Sequence, residues 1–287
     1  MNIQWYPGHM TKAKRMMEEN IKLVDVVVEM LDARVPLSSR NPELLKIANN
    51  KPRIVVLNKI DLADDEMTRR WAKILKNEGA AVVLVNARDG KGMNSIMVAS
   101  KEVCKEKIQR NLARGIISKP IRAMVVGIPN VGKSTFINKL VGKASAKTGN
   151  KPGVTKGKQW IKLKRDFELL DTPGLLWPRF EDEKVGIALA LIGSIKEELL
   201  DTRELAFKMI DLMRNNYKDQ FLKKYNVEDI ENKELMQILE EITVQRHIIK
   251  TGNEPDTDRM ALILLEEFRN GKYGKVTIDV IDEIEVH

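Results

Sequence analysis

Gly127-Ile128-Pro129-Asn130-Val131-Gly132-Lys133-Ser134 is the stretch on which the fold turns. It reads G-x-x-x-x-G-K-S, follows the apolar run Ala123-Met124-Val125-Val126, and leads into Thr135-Phe136-Ile137-Asn138-Lys139-Leu140, which permits a helix. A strand, a glycine-bearing loop and a helix in that order are the setting of a phosphate-binding loop. Glycine lets the backbone wrap closely enough for successive N–H groups to face a β-phosphate. Asn130, Val131, Gly132 and Thr135 belong to that cradle. Lys133 would reach the β- and γ-phosphates, Ser134 would ligate Mg²⁺, and the helix behind them turns its positive end towards the anion.

Working outwards, apolar strands alternate with helical patterns. Strands are expected at 24–31, 53–57 and 81–85, with helices around 42–49, 66–76 and 93–113. This alternation predicts an α/β fold with a doubly wound, mostly parallel sheet. Residues 147–155 hold too much Gly and Pro for a regular element. Gln159–Lys164 and Phe167–Leu170 read as two strands joined by a turn. Beyond about 178 the character changes to long helical patterns over 185–198, 202–215, 233–250 and 256–270, ending in a β-like tail at 275–280. The organisation expected is a basic N-terminal arm or helix at 1–20, an α/β nucleotide-binding domain at 21–178, and a small, mainly α-helical domain at 179–287. His9 falls in the arm, which reads as flexible.

Composition narrows the function. The chain has 287 residues, one cysteine and three histidines, so neither an internal disulfide nor a structural zinc site is expected. No run of about 18 apolar residues occurs, and the start lacks a secretory pattern, so a cytoplasmic protein without a membrane partner is expected. Charge is segregated: 34 basic and 17 acidic side chains in residues 1–180, against 15 and 24 in 181–287. Within 101–165 there are 17 basic and 2 acidic residues, a surplus beyond what one triphosphate needs. A polyanionic partner follows, with nucleic acid the first candidate. Arg246, Lys250, Arg259, Arg269, Lys272 and Lys275 could add an RNA-facing side to the helical region.

Four further segments suit a guanine nucleotide. Asn58-Lys59-Ile60-Asp61 ends an apolar strand. Asp61 can accept from the N1–H and exocyclic amine of guanine, donors that adenine lacks. Asn58 would fix the loop and Lys59 would lay its stem along the base. Asn86-Ala87-Arg88 ends the next strand, where a backbone N–H can meet the base oxygen. In Asp171-Thr172-Pro173-Gly174, Asp171 would hold Mg²⁺ and the Gly174 N–H would meet a γ-phosphate. Thr155, in Pro152-Gly153-Val154-Thr155, could ligate Mg²⁺ only while a γ-phosphate is present, which makes a switch.

The order N-K-x-D, N-A-R, G-x-x-x-x-G-K-S, P-G-V-T, D-T-P-G is that of a GTPase with its motifs rotated. With Trp5-Tyr6-Pro7-Gly8-His9-Met10 and Asp32-Ala33-Arg34-Val35-Pro36, the chain resembles the circularly permuted GTPases, and among them the ribosome biogenesis GTPase A family. The resemblance implies a P-loop GTPase domain of circularly permuted order, GTP and GDP as ligands, and a bacterial factor acting late in assembly of the large ribosomal subunit. It also implies rRNA and the precursor particle as partners, not DNA; a monomer is expected. The hydrolytic cycle would time association with the particle, which would in turn stimulate it. The alternative is an RNA-binding assembly scaffold in which GTP is structural.

Two departures from the common GTPase pattern matter. Leu175 stands where many GTPases place a water-orienting glutamine. The family's substitute matches His9, which reads either as the catalytic group or as a helix cap or RNA contact. Asn130 matches the residue with which K⁺-activated GTPases hold the ion, or else it merely satisfies loop backbone.

Overall fold

A computed structural model describes residues 8–48, 51–116, 119–142, 159–164, 167–178, 180 and 182–281. Its frame is a six-stranded sheet in the order β3-β2-β1-β4-β6-β5. The strands are β1 (Val26–Asp32), β2 (Arg53–Asn58), β3 (Ala81–Val85), β4 (Ile121–Gly127), β5 (Gln159–Lys164) and β6 (Phe167–Asp171). All neighbours pair in parallel except β5, which runs antiparallel to β6 at one edge with a register shift between Lys162 and Lys164. Every residue of β1 is buried, as a central parallel strand covered on both faces requires. The strand order reverses between β1 and β4, so the loop after β4 opens at the topological switch point, where open α/β sheets take ligands.

The helices flanking the sheet are α1 (Gly8–Asn20), α2 (Pro42–Ile47), α3 (Asp65–Asn77), α4 (Asn94–Val103), α5 (Lys105–Ala113) and α6 (Lys133–Val141). The single helix expected over 93–113 is broken at Cys104. The basic helix expected within 1–20 is present as α1, and it begins at Gly8, so the flexibility expected around His9 gives way to a docked helix from that residue onward. Met10, Ala13 and Met17 recur at helical spacing and are all buried, and Lys14 pairs with Glu43 of α2. His9 lies in the first turn of α1; its side chain lies outside the described residues.

Beyond the sheet come α7 (Glu183–Leu191), α8 (Thr202–Asn216), α9 (Lys218–Tyr225), α10 (Leu235–Gln245) and α11 (Thr257–Arg269). Asp182 caps α7 by accepting from Lys184 N–H at 2.8 Å. The helix stops well short of 198 because Gly193, at φ +77°, takes the left-handed conformation that ends helices. α9 was not anticipated; Phe221 and Tyr225 bury it against Tyr273. The buried apolar cluster runs without a break from the sheet into these helices, taking in Met124, Leu176, Leu189, Met209 and Leu264. The β-like tail at 275–280 forms no strand. Its apolar residues alternate, but among the described residues it joins no sheet edge, and its backbone N–H groups bond to separate loops, Val276 to Leu62 O and Ile278 to Arg34 O. Among the described residues no helix is long and apolar enough to cross a membrane.

Candidate guanine-nucleotide site

The segments singled out in the sequence converge at the C-terminal ends of β1, β2, β3, β4 and β6. Gly127 closes β4 at φ +154°, and Gly132 sits at φ +102° just before α6. A β-carbon on Gly132 would stand 2.5 Å from Asn58 Nδ2, so this glycine is required by close approach as well as by conformation. Lys133 is buried and donates to the carbonyls of Gly127 and Ile128 at 3.1 and 2.8 Å. Burial pushes its pKa down to about 8, against the pull of Asp171. Ser134 is half-buried and Thr135 exposed at the start of α6.

Asn58 ties three segments together. Its Nδ2 donates to Val131 O at 2.8 Å, and its Oδ1 accepts from Ala87 N–H at 3.0 Å. One buried side chain therefore joins the base-reading loop, the N-A-R loop and the phosphate loop. Lys59, at φ +62°, sends Nζ to Asn130 O at 2.8 Å and to Asp32 Oδ2 at 2.9 Å. Its stem thus lies between the base-reading and phosphate loops. Asp61 is exposed, and among the described residues its side chain makes no hydrogen bond. Asn86 folds its own turn, with Nδ2 on Asp89 and Oδ1 accepting from Arg88 N–H.

On the phosphate side, Asp171 is 1% exposed and its Oδ1 has no hydrogen-bond donor. Burial raises its pKa, and the Lys133 ammonium and Thr172 N–H work against that rise. A buried carboxylate oxygen without a donor fits a hydrated cation, so this donor set suits Mg²⁺. Thr172 Oγ1 donates to Val125 O at 2.7 Å and holds the end of β6 against β4. Gly174 abuts the phosphate loop: a β-carbon there would meet Pro129 backbone at 2.7 Å and Lys133 Nζ at 3.1 Å. Leu175 is buried, with its N–H on Gly127 O at 3.2 Å and its carbonyl accepting from Asn41 Nδ2 at 2.8 Å. Thr155 lies outside the described residues.

Three supports escaped the sequence reading. The first is Asp32, fully buried, which accepts from Arg34 Nε at 2.9 Å and Arg34 Nη2 at 2.8 Å as well as from Lys59. Burial alone would raise its carboxyl; the Arg34 guanidinium and the Lys59 ammonium overcome that and hold it well below the usual carboxylate range. Asp32-Ala33-Arg34 stood out as a motif, but its salt-bridge role needed the position of Lys59. The second is the turn after α7. Ser194 Oγ donates to Pro129 O at 2.9 Å, and Asn130 Nδ2 donates to Gly193 O at 2.7 Å. The third is Arg269, expected to face RNA. It donates to the carbonyls of Leu191 and Ala190 at 3.1 Å, and its own carbonyl accepts from Arg34 Nη1 at 3.3 Å. Arg246 and Lys275 of the same expected set also make internal contacts, with Tyr225 and Glu267 and with Asp65.

Comparison with known proteins agrees with this geometry. Residues 9–180 match the family model described as RsgA GTPase, and residues 122–249 match the one described as 50S ribosome-binding GTPase. Ribosome biogenesis GTPase A of Bacillus cereus is 46% identical over 99% of this chain and 95% of its own length. GNP-bound YlqF from T. maritima is 28% identical, with a TM-score of 0.65 over 93% of this chain and 97% of that one. The GDP-bound form of the same protein gives a TM-score of 0.67 at 26% identity over 93% and 99%. With the N-K-x-D and N-A-R loops placed before the phosphate loop in the chain and beside it in space, the chain belongs to the ribosome biogenesis GTPase A family of circularly permuted GTP hydrolases.

Proposed function

We propose that GTP hydrolysis by this chain times its engagement with a precursor of the large ribosomal subunit, in the cytoplasm, with rRNA as part of the surface bound and the particle as the stimulus for hydrolysis. The observation that carries the reading is the pair of Asn58 hydrogen bonds, which brings a guanine-type base loop and a phosphate loop to one site. Asp61 reads the base, Lys59 covers it, and the Ala87 loop meets its oxygen. Val131, Gly132, Lys133, Ser134 and Thr135 hold the phosphates, and Gly174 meets the terminal one. Ser134, Asp171 and Thr155 would hold Mg²⁺, which would supply charge neutralisation at the transferring phosphoryl group.

Leu175 offers no side-chain hydrogen bond, so the attacking water needs another group. His9, at the start of a helix packed beside α2, is assigned that role. Asn130, which stands in the phosphate loop with its Nδ2 on Gly193 O, would help to hold K⁺ beside the phosphates. The excess of basic residues in 101–165 supports an RNA partner.

GTP turnover measured with and without large-subunit particles tests the reading, with Lys133→Ala as the inactive control. Stimulation by mature or precursor particles is expected. A rate indifferent to them would sink the timing role. A hydrolysis-dead chain that still matures subunits would favour the scaffold.

A further inference from the structure

The described tail at 271–281 attaches to the loop that follows Asp61. Val276 N–H donates to Leu62 O at 2.9 Å, and Thr277 Oγ1 accepts from Asp64 N–H at 3.1 Å. Asp64 in turn caps α3, accepting from Glu66 and Met67 N–H at 2.9 Å. The tail therefore grips residues 62–64 between the base-reading quartet and the helix behind it. Thr277 is itself held from the helical side, because Tyr217 OH donates to Thr277 O at 3.0 Å and accepts from Thr277 N–H at 2.9 Å.

The rest of the tail is anchored as firmly. Ile278 N–H donates to Arg34 O at 2.7 Å. The Asp279 carboxylate accepts from Leu37 N–H, Ser38 N–H and Ser38 Oγ at 2.7–2.8 Å, and Trp71 Nε1 donates to Asp279 O at 2.9 Å. Ile281 is buried against the cluster of Leu31, Leu57 and Trp71.

We infer that this tail is a strap that positions Asp61, so that discrimination of guanine depends on residues such as Thr277, 213 positions beyond the Asp64 they hold. The inference rests on the reading of Asp61 as the guanine acceptor. The Asp61 side chain has no hydrogen bond of its own among the described residues, so its backbone alone places it. Two parallel N–H···O bonds to a carboxylate demand fixed geometry, and a shift of about 1 Å forfeits one of them. Thr277 is a positioning residue, acting through Asp64 and Leu62 on the loop.

The test compares GDP with IDP, which lacks the exocyclic amine, as competing ligands of the full-length chain. Thr277→Val keeps the shape of a fully buried side chain and removes the acceptor for Asp64 N–H. It should lower the preference for GDP over IDP by about threefold to tenfold, the worth of one hydrogen bond, with IDP, which keeps only the N1–H donor, weakened less than GDP. Thr277→Ser should keep the parent preference. Tyr217→Phe, which releases the strap from the other side, should lower it as Thr277→Val does, and it serves if Thr277→Val does not fold. Lower melting temperatures in both variants with the parent's preference intact would make the strap structural only and overturn the inference. A parent that binds GDP and IDP alike would instead remove the Asp61 reading itself, a result visible before any variant is made.

Discussion

Asn58→Ala tests the joint on which the site depends. Asn58 is 2% exposed, and its loss leaves Val131 O and Ala87 N–H without partners; both residues are buried, at 0% and 3% exposure. Each buried group left unpaired costs about 1–3 kcal/mol, so about 2–6 kcal/mol should be lost between folding stability and nucleotide affinity. Gly132→Ala attacks the same joint from the other side. Its φ of +102° strains any residue with a β-carbon, and that carbon would press on Asn58 Nδ2 at 2.5 Å. The backbone term is about 1–3 kcal/mol, and displacement of Asn58 adds part of the loss already counted for Asn58→Ala. In the double variant the clash is gone and the two bonds can be lost only once. The combined effect should therefore fall short of the sum by at least about 1 kcal/mol. Denaturant unfolding of the free chain and calorimetric titration with GDP, run on all four proteins, read this coupling directly. Effects that add to within about 0.5 kcal/mol would show that Asn58 and Gly132 act separately, and the argument would fail.

Asp32→Asn should cost about 3–5 kcal/mol at neutral pH, because Arg34 and Lys59 are left facing a neutral amide in a buried cluster. A depressed folded-state pKa contributes stability above the ordinary value of 3.8 and loses it as pH falls further. The gap between parent and variant in denaturant midpoints should thus narrow only below about pH 4, and a gap constant with pH would refute the ion pair. K⁺ should accelerate turnover relative to Na⁺, and Asn130→Ala should abolish that difference; equal rates in the two salts would assign Asn130 to loop structure, its bond to Gly193 O included. His9→Ala should bind GTP and the particle almost normally yet lose most particle-stimulated turnover. Loss of particle affinity with stimulated turnover retained would make His9 an RNA contact.

How much was legible in advance depended on the range of the interaction. The β1, β2 and β3 runs are apolar because parallel strands are buried on both faces, so their positions could be read within a residue or two. The motif loops were legible because each carries its own local chemistry: glycine for φ, lysine and serine for phosphate and metal. The break at Cys104 and the early stop at Gly193 are single-residue events inside otherwise continuous helical patterns, and periodicity does not register them. The tail misled for the opposite reason. Alternation of Val276 and Ile278 is a true signal of extended backbone, but only tertiary placement shows whether a strand lies alongside. Arg269 looked like a surface cation because nothing near it in sequence reveals that the carbonyls of Ala190 and Leu191 are waiting for it.

The permuted order gains its structural consequence from where α7 goes. After β6 the chain passes Gly174, which lies against Pro129, and runs through Leu175 and Leu176 into α7. At the far end of that helix the chain turns at Gly193, and Ser194 bonds the carbonyl of the same Pro129 while Gly193 O takes the Asn130 amide. The chain thus meets the same pair of phosphate-loop residues once before α7, at Gly174, and again after it, at Gly193 and Ser194. Arg269 of α11 clasps the last carbonyls of α7, and the Arg269 carbonyl is held in turn by Arg34, whose guanidinium shares Asp32 with Lys59. The helices beyond the sheet therefore contact the phosphate loop through the turn that follows α7, and through α11, Arg34 and Asp32 they are linked to Lys59. The attachment at Gly193 and Ser194 closes a loop of chain on Pro129, so a displacement of Gly174 relative to Pro129 would have to be taken up along residues 175–192 or passed to α11.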